Sequence, residues 1–266
     1  MLCDCMRKLS IEEQKKIQFG ILQDIAAFCE KKHITYFLAY GTLIGAIRHN
    51  GYIPWDDDID IAMPRPDYDR FVRIFNSEYE YTKVLEMSLS DKYGIPFAKA
   101  YDNRTWVDEL HYKPDEYGVF VDIFPIDGIK GTLQFKKMDR LNKLLHIKKA
   151  NYTRRSLLKI VRNFLGKIIL LPFSVHDILE RMDKIARQYP FGTTPKAGLI
   201  SVPYGMREIV DTSVFEQTIF HEFEGSQFRI PIGYDAWLKS LYGDYMQLPP
   251  EEKRIPHHVL DAYWKD

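Results

Sequence analysis

The spacing of hydrophobic and polar positions changes several times along this chain, and each change marks an element. Ser10-Ile11-Glu12-Glu13 has the spacing of a capping box, and Ile17, Ile21, Ile25 and Phe28 recur at helical period, so 10–32 is predicted to be an amphipathic helix. A strand is expected at 35–40. Gly41-Thr42 then turns the chain into a short helix at 43–48, and Asn50-Gly51 makes a further turn. Ile59, Ile61 and Met63 alternate with Asp58 and Asp60, the pattern of a half-buried strand. A helix is predicted at 67–75, after Pro64 and Pro66, followed by strands at 81–87, 95–101, 105–109 and 117–124. Residues 132–189 read as nearly all helical, with a strand at 199–202 and a helix at 235–242 beyond them. Strands and helices mix without a regular βαβ repeat. That order predicts an α+β or mixed α/β fold with a helical elaboration at 130–190. No repeat, low-complexity stretch or flexible linker divides the chain, so 1–266 is read as one domain.

The run Trp55-Asp56-Asp57-Asp58-Ile59-Asp60 places carboxylates close together inside apolar sequence. On a strand Asp58 and Asp60 point to one face, with Cα atoms roughly 7 Å apart. Crowded carboxylates resist ionisation unless a cation or hydrogen bonds favour the charged form, and a hard divalent cation such as Mg²⁺, or Mn²⁺, suits oxygen ligands. A calcium loop requires Gly and then Glu where this chain has Ile61 and Asp67. A merely solvated acidic turn fits poorly with the apolar alternation, because unpaired charge on a half-buried strand is costly. Phosphoryl or nucleotidyl transfer is the chemistry such a site suggests. Gly41 and Thr42, at a helix start, have the character of a phosphate-binding turn, although no P-loop lysine follows. Asp122, embedded in Val119-Phe120-Val121-Asp122-Ile123-Phe124, is the candidate third carboxylate.

Composition is that of a soluble globular protein, 45% hydrophobic and 28% charged, and no apolar run reaches the length of a spanning helix. Asp4 interrupts the short apolar opening, so a signal peptide is not expected and the default location is the cytoplasm. Cys3, Cys5 and Cys29 match no disulfide framework or zinc site. Net charge is zero but unevenly spread: 140–176 holds nine basic residues and no acidic one. Within it Leu157, Leu158, Val161, Phe164, Leu165 and Ile168 form one side of a helical wheel, with Lys159, Arg162 and Asn163 opposite and Arg154, Arg155 and Lys167 flanking. Residues 154–171 are therefore expected to form a basic amphipathic helix that lies on an anionic membrane surface. A nucleic-acid partner is not expected.

The segments 40–49 and 54–60 closely resemble the LicD family of phosphocholine transferases, and 118–127 and 242–254 resemble that family's middle and closing motifs. The resemblance implies a nucleotidyltransferase-like fold in which Asp58, Asp60 and Asp122 hold the metal. It also implies transfer of a phospho-alcohol, most often phosphocholine, from a CDP-activated donor such as CDP-choline to a hydroxyl of a lipid-linked or cell-surface glycan, of the teichoic acid, lipopolysaccharide or capsule type, with release of CMP. Because acceptors of this type are assembled on a lipid carrier, the resemblance also implies that the basic helix docks the protein at the inner face of the cytoplasmic membrane. Fukutin-related proteins are similar but use CDP-ribitol and carry a cysteine-rich zinc site that three cysteines cannot build. Arg48 and Lys99 are candidates to add positive charge at the donor phosphates, and Asp56, Asp127, His257 or His258 to take the acceptor's proton. Tyr40, Trp55, Trp106 and Tyr204 are candidates for an aromatic surround of a quaternary ammonium. Two other readings remain open: a nucleotidyltransferase that leaves a nucleotide on its acceptor, and a non-catalytic peripheral membrane protein.

Overall fold

A computed structural model describes residues 6–108, 117–149, 172–202, 204–255 and 260–265. Helix α1 (Ile11–Lys32) starts at the predicted capping box: the Ser10 hydroxyl accepts the Glu13 N–H, and the Glu13 carboxylate accepts the Ser10 N–H. It ends at His33, whose left-handed backbone (φ 52°) returns an N–H to the last turn. Helix α2 (Tyr40–His49) begins three residues earlier than the sequence pattern indicates. Helix α3 (Arg65–Ile74) takes Pro66 into its first turn, where the missing N–H costs nothing. Phe28 of α1 meets Phe71 and Phe75 edge to face at 5.7 and 5.0 Å, which locks α1 and α3 together.

The main sheet runs in the order β2 (Phe37–Leu38), β3 (Asp60–Pro64), β7 (Phe120–Ile129), β5 (Ala98–Asp102) and β4 (Thr82–Leu85), and the far end of β7 continues the ladder into β8 (Lys196–Gly198) and β9 (Val210–Asp211). β3 and β7 pair in parallel, with Asp60 opposite Asp122, whereas the other pairings are antiparallel. This is the mixed α/β class that the element order predicts. β1 (Arg7–Lys8), β12 (Asp261–Trp264) and β6 (Thr105–Asp108) form a separate three-stranded sheet, and β10 (Thr218–Phe223) pairs with β11 (Ser226–Pro231) as a hairpin. Helices α4 (Thr132–Lys149) and α5 (Val175–Ala186) bury a second core of Phe135, Met138, Ile178, Leu179 and Met182. Helix α6 (Tyr234–Tyr242) buries Trp237, Leu238 and Leu241 against the main core.

Several boundaries differ from expectation. Asp58 precedes β3 rather than lying on it. The strand expected at 117–124 starts at Phe120 and runs to Ile129, and the one expected at 199–202 is instead Lys196–Gly198. Leu199 and Ile200 are apolar because they are buried, not because they pair. The helical block is interrupted before Ser174, whose capping box starts α5. The basic stretch 154–171 lies outside the described residues. No helix among those described is long and apolar enough to cross a membrane.

A buried ion network joins three of these elements. Arg65, at the start of α3, donates two parallel hydrogen bonds to Asp127 of β7 at 2.7 and 2.6 Å, and a third to Asp183 of α5 at 3.3 Å. Arg187 closes the set on Asp69 and Asp183. Breaking a buried pair leaves one charge uncompensated, so Asp127→Asn is expected to cost about 3–5 kcal/mol in denaturant unfolding. Lys143→Gln, in the exposed pair with Asp139, should have little effect. Equal, small losses from both variants would show that the network does not hold the elements together.

Candidate active site

Cross-strand neighbours point to the same face, so the register β3–β7–β5 sets Asp60, Asp122 and Lys99 side by side across three strands. Ile61, Ile123 and Ala98 face the other way and are fully buried. Lys99 Nζ lies 2.6 Å from Asp122 Oδ1 and 3.3 Å from the centre of the Phe120 ring, with its side chain 4% exposed. Lys99 therefore serves as an internal counter-ion for Asp122. Desolvation pushes the Asp60 carboxyl well above the ordinary carboxylate range, the charges of Asp58, Asp122 and Asp56 push it further, and Lys99 opposes them.

The loop before β3 brings up more carboxylates. Asp56, Asp57 and Asp58 are half-buried, and each offers an oxygen within 4.8 Å of the others. Desolvation raises Asp56, while a hydrogen bond with Asp58 opposes the shift. Asp57 Oδ1 is buried without a hydrogen-bond partner among the described residues, although the Asp57 carbonyl accepts from Gln18 Nε2 at 2.9 Å. The loop is anchored at its start by the β10–β11 hairpin: the Glu224 N–H donates to the Asn50 carbonyl at 2.9 Å, and the Tyr52 N–H to the Glu224 carboxylate at 3.0 Å. Gly45 permits this approach, since the Gly51 carbonyl stands where a side chain would begin.

Gly41 and Thr42 act differently from a phosphate-binding turn. Thr42 is buried, and its hydroxyl accepts the Asp60 N–H at 2.8 Å, so it pins the start of β3. Gly41 is needed because the Asp56 carboxylate occupies the place of a Cβ, so the head of α2 already faces an anion of the protein itself. Tyr40 beside it takes a left-handed backbone (φ 46°), strained for an aromatic residue.

The Tyr40 hydroxyl donates to the buried Glu208 carboxylate at 2.7 Å, and Trp237 Nε1 reaches the same group at 3.3 Å. Tyr204 stacks on Tyr40 at 5.1 Å, and Tyr242 stands edge-on to Tyr204 at 5.6 Å with their hydroxyls 3.1 Å apart. Tyr40 adjoins Gly41, against which the Asp56 carboxylate packs, so this aromatic corner stands beside the acidic centre. Trp55 and Trp106 do not join it. Trp106 packs on Tyr263 in the three-stranded sheet, and Trp55 lies between His49 and Arg254. Glu208 and Tyr242 thus belong to the site although no sequence signal marks Glu208, which follows Arg207 like an ordinary surface charge.

Of the groups expected to take a proton, Asp127 is spent on Arg65 and only 1% exposed, so it is removed from the set. His257 and His258 lie outside the described residues, and Asp56 stands at the centre. Arg48 donates to the Tyr245 carbonyl at 2.6 Å and to His49 Nε2 at 3.0 Å. Among the described residues the grouped donors beside Asp60 are the carboxylate oxygens of Asp56, Asp57 and Asp58, and one buried oxygen of Asp57 has no hydrogen-bond partner there. A hard ion such as Mg²⁺ or Mn²⁺ fits that chemistry, and a soft-ligand zinc site does not.

Desolvation raises the Glu208 carboxyl to about 7, although Tyr40, Trp237 and the Leu199 N–H all favour its ionised form. The folded protein therefore binds this proton more tightly than the unfolded chain. Its stabilising effect is complete below the ordinary glutamate range and is lost as pH rises through about 7. Relative to wild type, Glu208→Gln should gain up to about 3 kcal/mol between pH 5 and pH 8, on top of a pH-independent loss from its mismatched hydrogen bonds. Unfolding curves of the two proteins that stay parallel across that range would contradict the assignment.

Comparison with known proteins identifies relatives of the chain. Residues 33–172 match the family described as LicD/FKTN/FKRP, nucleotidyltransferase domain. The chain is 37% identical over 270 residues to the lipopolysaccharide cholinephosphotransferase LicD of Haemophilus influenzae, covering 97% of this chain and 99% of that one. Uncharacterized proteins of Rickettsia typhi and Rickettsia prowazekii are each 36% identical over 70 and 63 residues, 26% and 23% of this chain and 23% and 24% of theirs. Identity at this level, sustained almost from end to end and joined to a family match over half the sequence, makes the chain a member of the LicD/FKTN/FKRP nucleotidyltransferase-domain family.

Proposed function

We propose that this protein transfers phosphocholine from CDP-choline to a hydroxyl of a lipopolysaccharide-type glycan and releases CMP. The observation that carries the reading is the row of Asp60, Asp122 and Lys99 across three strands, with the Asp56–Asp58 carboxylates crowded onto it. The H. influenzae relative, similar over nearly its whole length, bears the name of a lipopolysaccharide cholinephosphotransferase and supports the choice of alcohol and acceptor.

Asp58, Asp60 and Asp122 would hold Mg²⁺ or Mn²⁺. When bound, that ion supplies charge neutralisation on the donor phosphates. The protein's own residues do the rest. Asp56, whose carboxyl is raised by desolvation and so is a stronger base than an exposed aspartate, takes the proton of the acceptor hydroxyl. The hydroxyl oxygen bonds to the phosphorus that carries choline, the bond from that phosphorus to the bridging oxygen breaks, and CMP leaves with that oxygen. Lys99 fixes Asp122 in place, and Thr42 fixes the backbone of Asp60. The choline ammonium, which cannot donate a strong hydrogen bond, lies against the corner formed by Tyr204 and Tyr242.

Asp58→Asn, Asp60→Asn and Asp122→Asn should each lower CMP release from CDP-choline by roughly 100-fold or more. A chelator should stop turnover reversibly. Near-normal rates in any one variant would remove that residue from the ligand set. Pyrophosphate release in place of CMP would point to nucleotidyl transfer.

Tyr204→Leu and Tyr242→Leu should weaken CDP-choline more than CDP by about 2- to 30-fold, as expected for one lost cation–π contact of about 0.5–2 kcal/mol. Trp106→Leu should affect neither ligand. Equal losses for both ligands in the tyrosine variants would remove the aromatic corner from choline recognition.

A further inference from the structure

Two arginines 206 positions apart in sequence are gathered around Trp55, Arg254 directly on its ring and Arg48 through His49. Arg48 leaves the last turn of α2, half-buried, with one nitrogen on the Tyr245 carbonyl and another on His49. His49 in turn faces the Trp55 ring edge-on at 6.4 Å, and the Arg254 guanidinium lies over that ring at 5.5 Å. Arg254 Nε donates to the Pro249 carbonyl at 2.8 Å. Among the described residues no carboxylate lies within 4.0 Å of Arg48. Among the described residues Arg254 forms an ion pair with Glu251, at 4.0 Å and with that side chain 91% exposed, too solvated to neutralise much.

Charged groups partly withdrawn from water are normally paired. Here two cations of like sign are brought close enough that, after desolvation, the charge of Arg254 is what disfavours the protonated form of Arg48. Yet the chain runs directly from Trp55 into Asp56, Asp57 and Asp58, and among the described residues the ion pair of Arg254 is with Glu251 and Arg48 donates to a carbonyl and an imidazole, not to these carboxylates. A cationic patch and an acidic patch therefore stand next to each other without cancelling. A polyphosphate satisfies both at once: its charge suits the arginine forks, and its remaining oxygens suit a cation held by the carboxylates.

We propose that Arg48 and Arg254 form a two-guanidinium clasp for the diphosphate of the nucleotide donor, with the closing segment of the chain supplying one jaw. The inference rests on the proposed transfer reaction and adds Arg254, in a segment to which no binding role is assigned, as a donor-binding residue. His49 orients Arg48 through the ring nitrogen that accepts its Nε–H.

Titration calorimetry with CDP and Mg²⁺, together with thermal shift in inorganic pyrophosphate, tests the clasp. Arg254→Gln should weaken CDP about tenfold or more and abolish most of the pyrophosphate-induced rise in Tm. The Tm of the ligand-free protein should hold or rise, because a like-charge repulsion has been removed. Arg254→Lys, which keeps the charge but not the fork, should fall between the two. Arg48→Gln should also weaken CDP, and the double variant should lose less than the two single losses combined, since both jaws hold one group. Unchanged CDP affinity in Arg254→Gln would overturn the clasp, and so would an effect confined to the KM of the glycan acceptor. Wild-type protein stabilised by pyrophosphate through both arginines, but inert toward every CDP-alcohol, would instead overturn the proposed reaction and leave the anion site standing.

Discussion

Repulsion among carboxylates is the constraint around which this molecule is arranged. Asp56, Asp57, Asp58, Asp60 and Asp122 are drawn from one loop and two strands into a region that water does not fully screen, and each ionised group raises the cost of ionising the next. Such a cluster persists only if the backbone beneath it is held by something stronger than the repulsion. The hydrogen bonds supply that hold: Asp122 N–H to the Ile59 carbonyl and Ala39 N–H to the Asp60 carbonyl, both at 2.9 Å, and Asp60 N–H to Thr42. Lys99 adds a charge of opposite sign that cannot swing away, because Phe97, Tyr117 and Phe120 surround its stem and head.

Beneath the acidic centre, the fold places other polar groups where only specific partners make them tolerable. Glu208 depends on Tyr40 and Trp237, and Arg65 depends on Asp127. The first arrangement bears on the site through Tyr40, whose left-handed backbone costs on the order of 1–2 kcal/mol and persists because its hydroxyl and ring are both engaged. Helix α2 starts from this strained residue, and the next two positions contact Asp56 and Asp60. Local strain, a buried acid and the acidic cluster are thus parts of one connected structure.

Much of this was legible in the sequence wherever a local rule governs. The Ser10 capping box gave the start of α1, and the Ile59-Ile61-Met63 alternation gave the strand that carries Asp60. The apolar run around Asp122 marked a central strand, because a sheet covered on both faces needs apolar neighbours on each side. What could not be read depends on long-range pairing. The role of Thr42 is set by an N–H eighteen residues away, and that of Lys99 by the strand that lies beside it. Glu208 joins Tyr40 across 168 positions, and Trp55 meets Arg254 only after the closing segment folds back. The β10–β11 hairpin was obscured by its exposed Phe220, which breaks the alternation, although Glu224-Gly225, both at positive φ, is a ready turn in retrospect.

Parallel pairing of β3 with β7 also decides where this chain can change in length. Side chains alternate with a period of two, so one residue gained or lost within 60–64 or 120–126 would turn every later side chain on that strand to the opposite face. A change before Asp122 would send that aspartate into the core and bring Ile123 to the face that carries Asp60. These two segments therefore behave as rulers of fixed length. Connections other than the acidic loop before β3 close at a cost that grows only slowly with added residues, so the protein's room for growth lies there, away from the ladder and the carboxylates that set its chemistry.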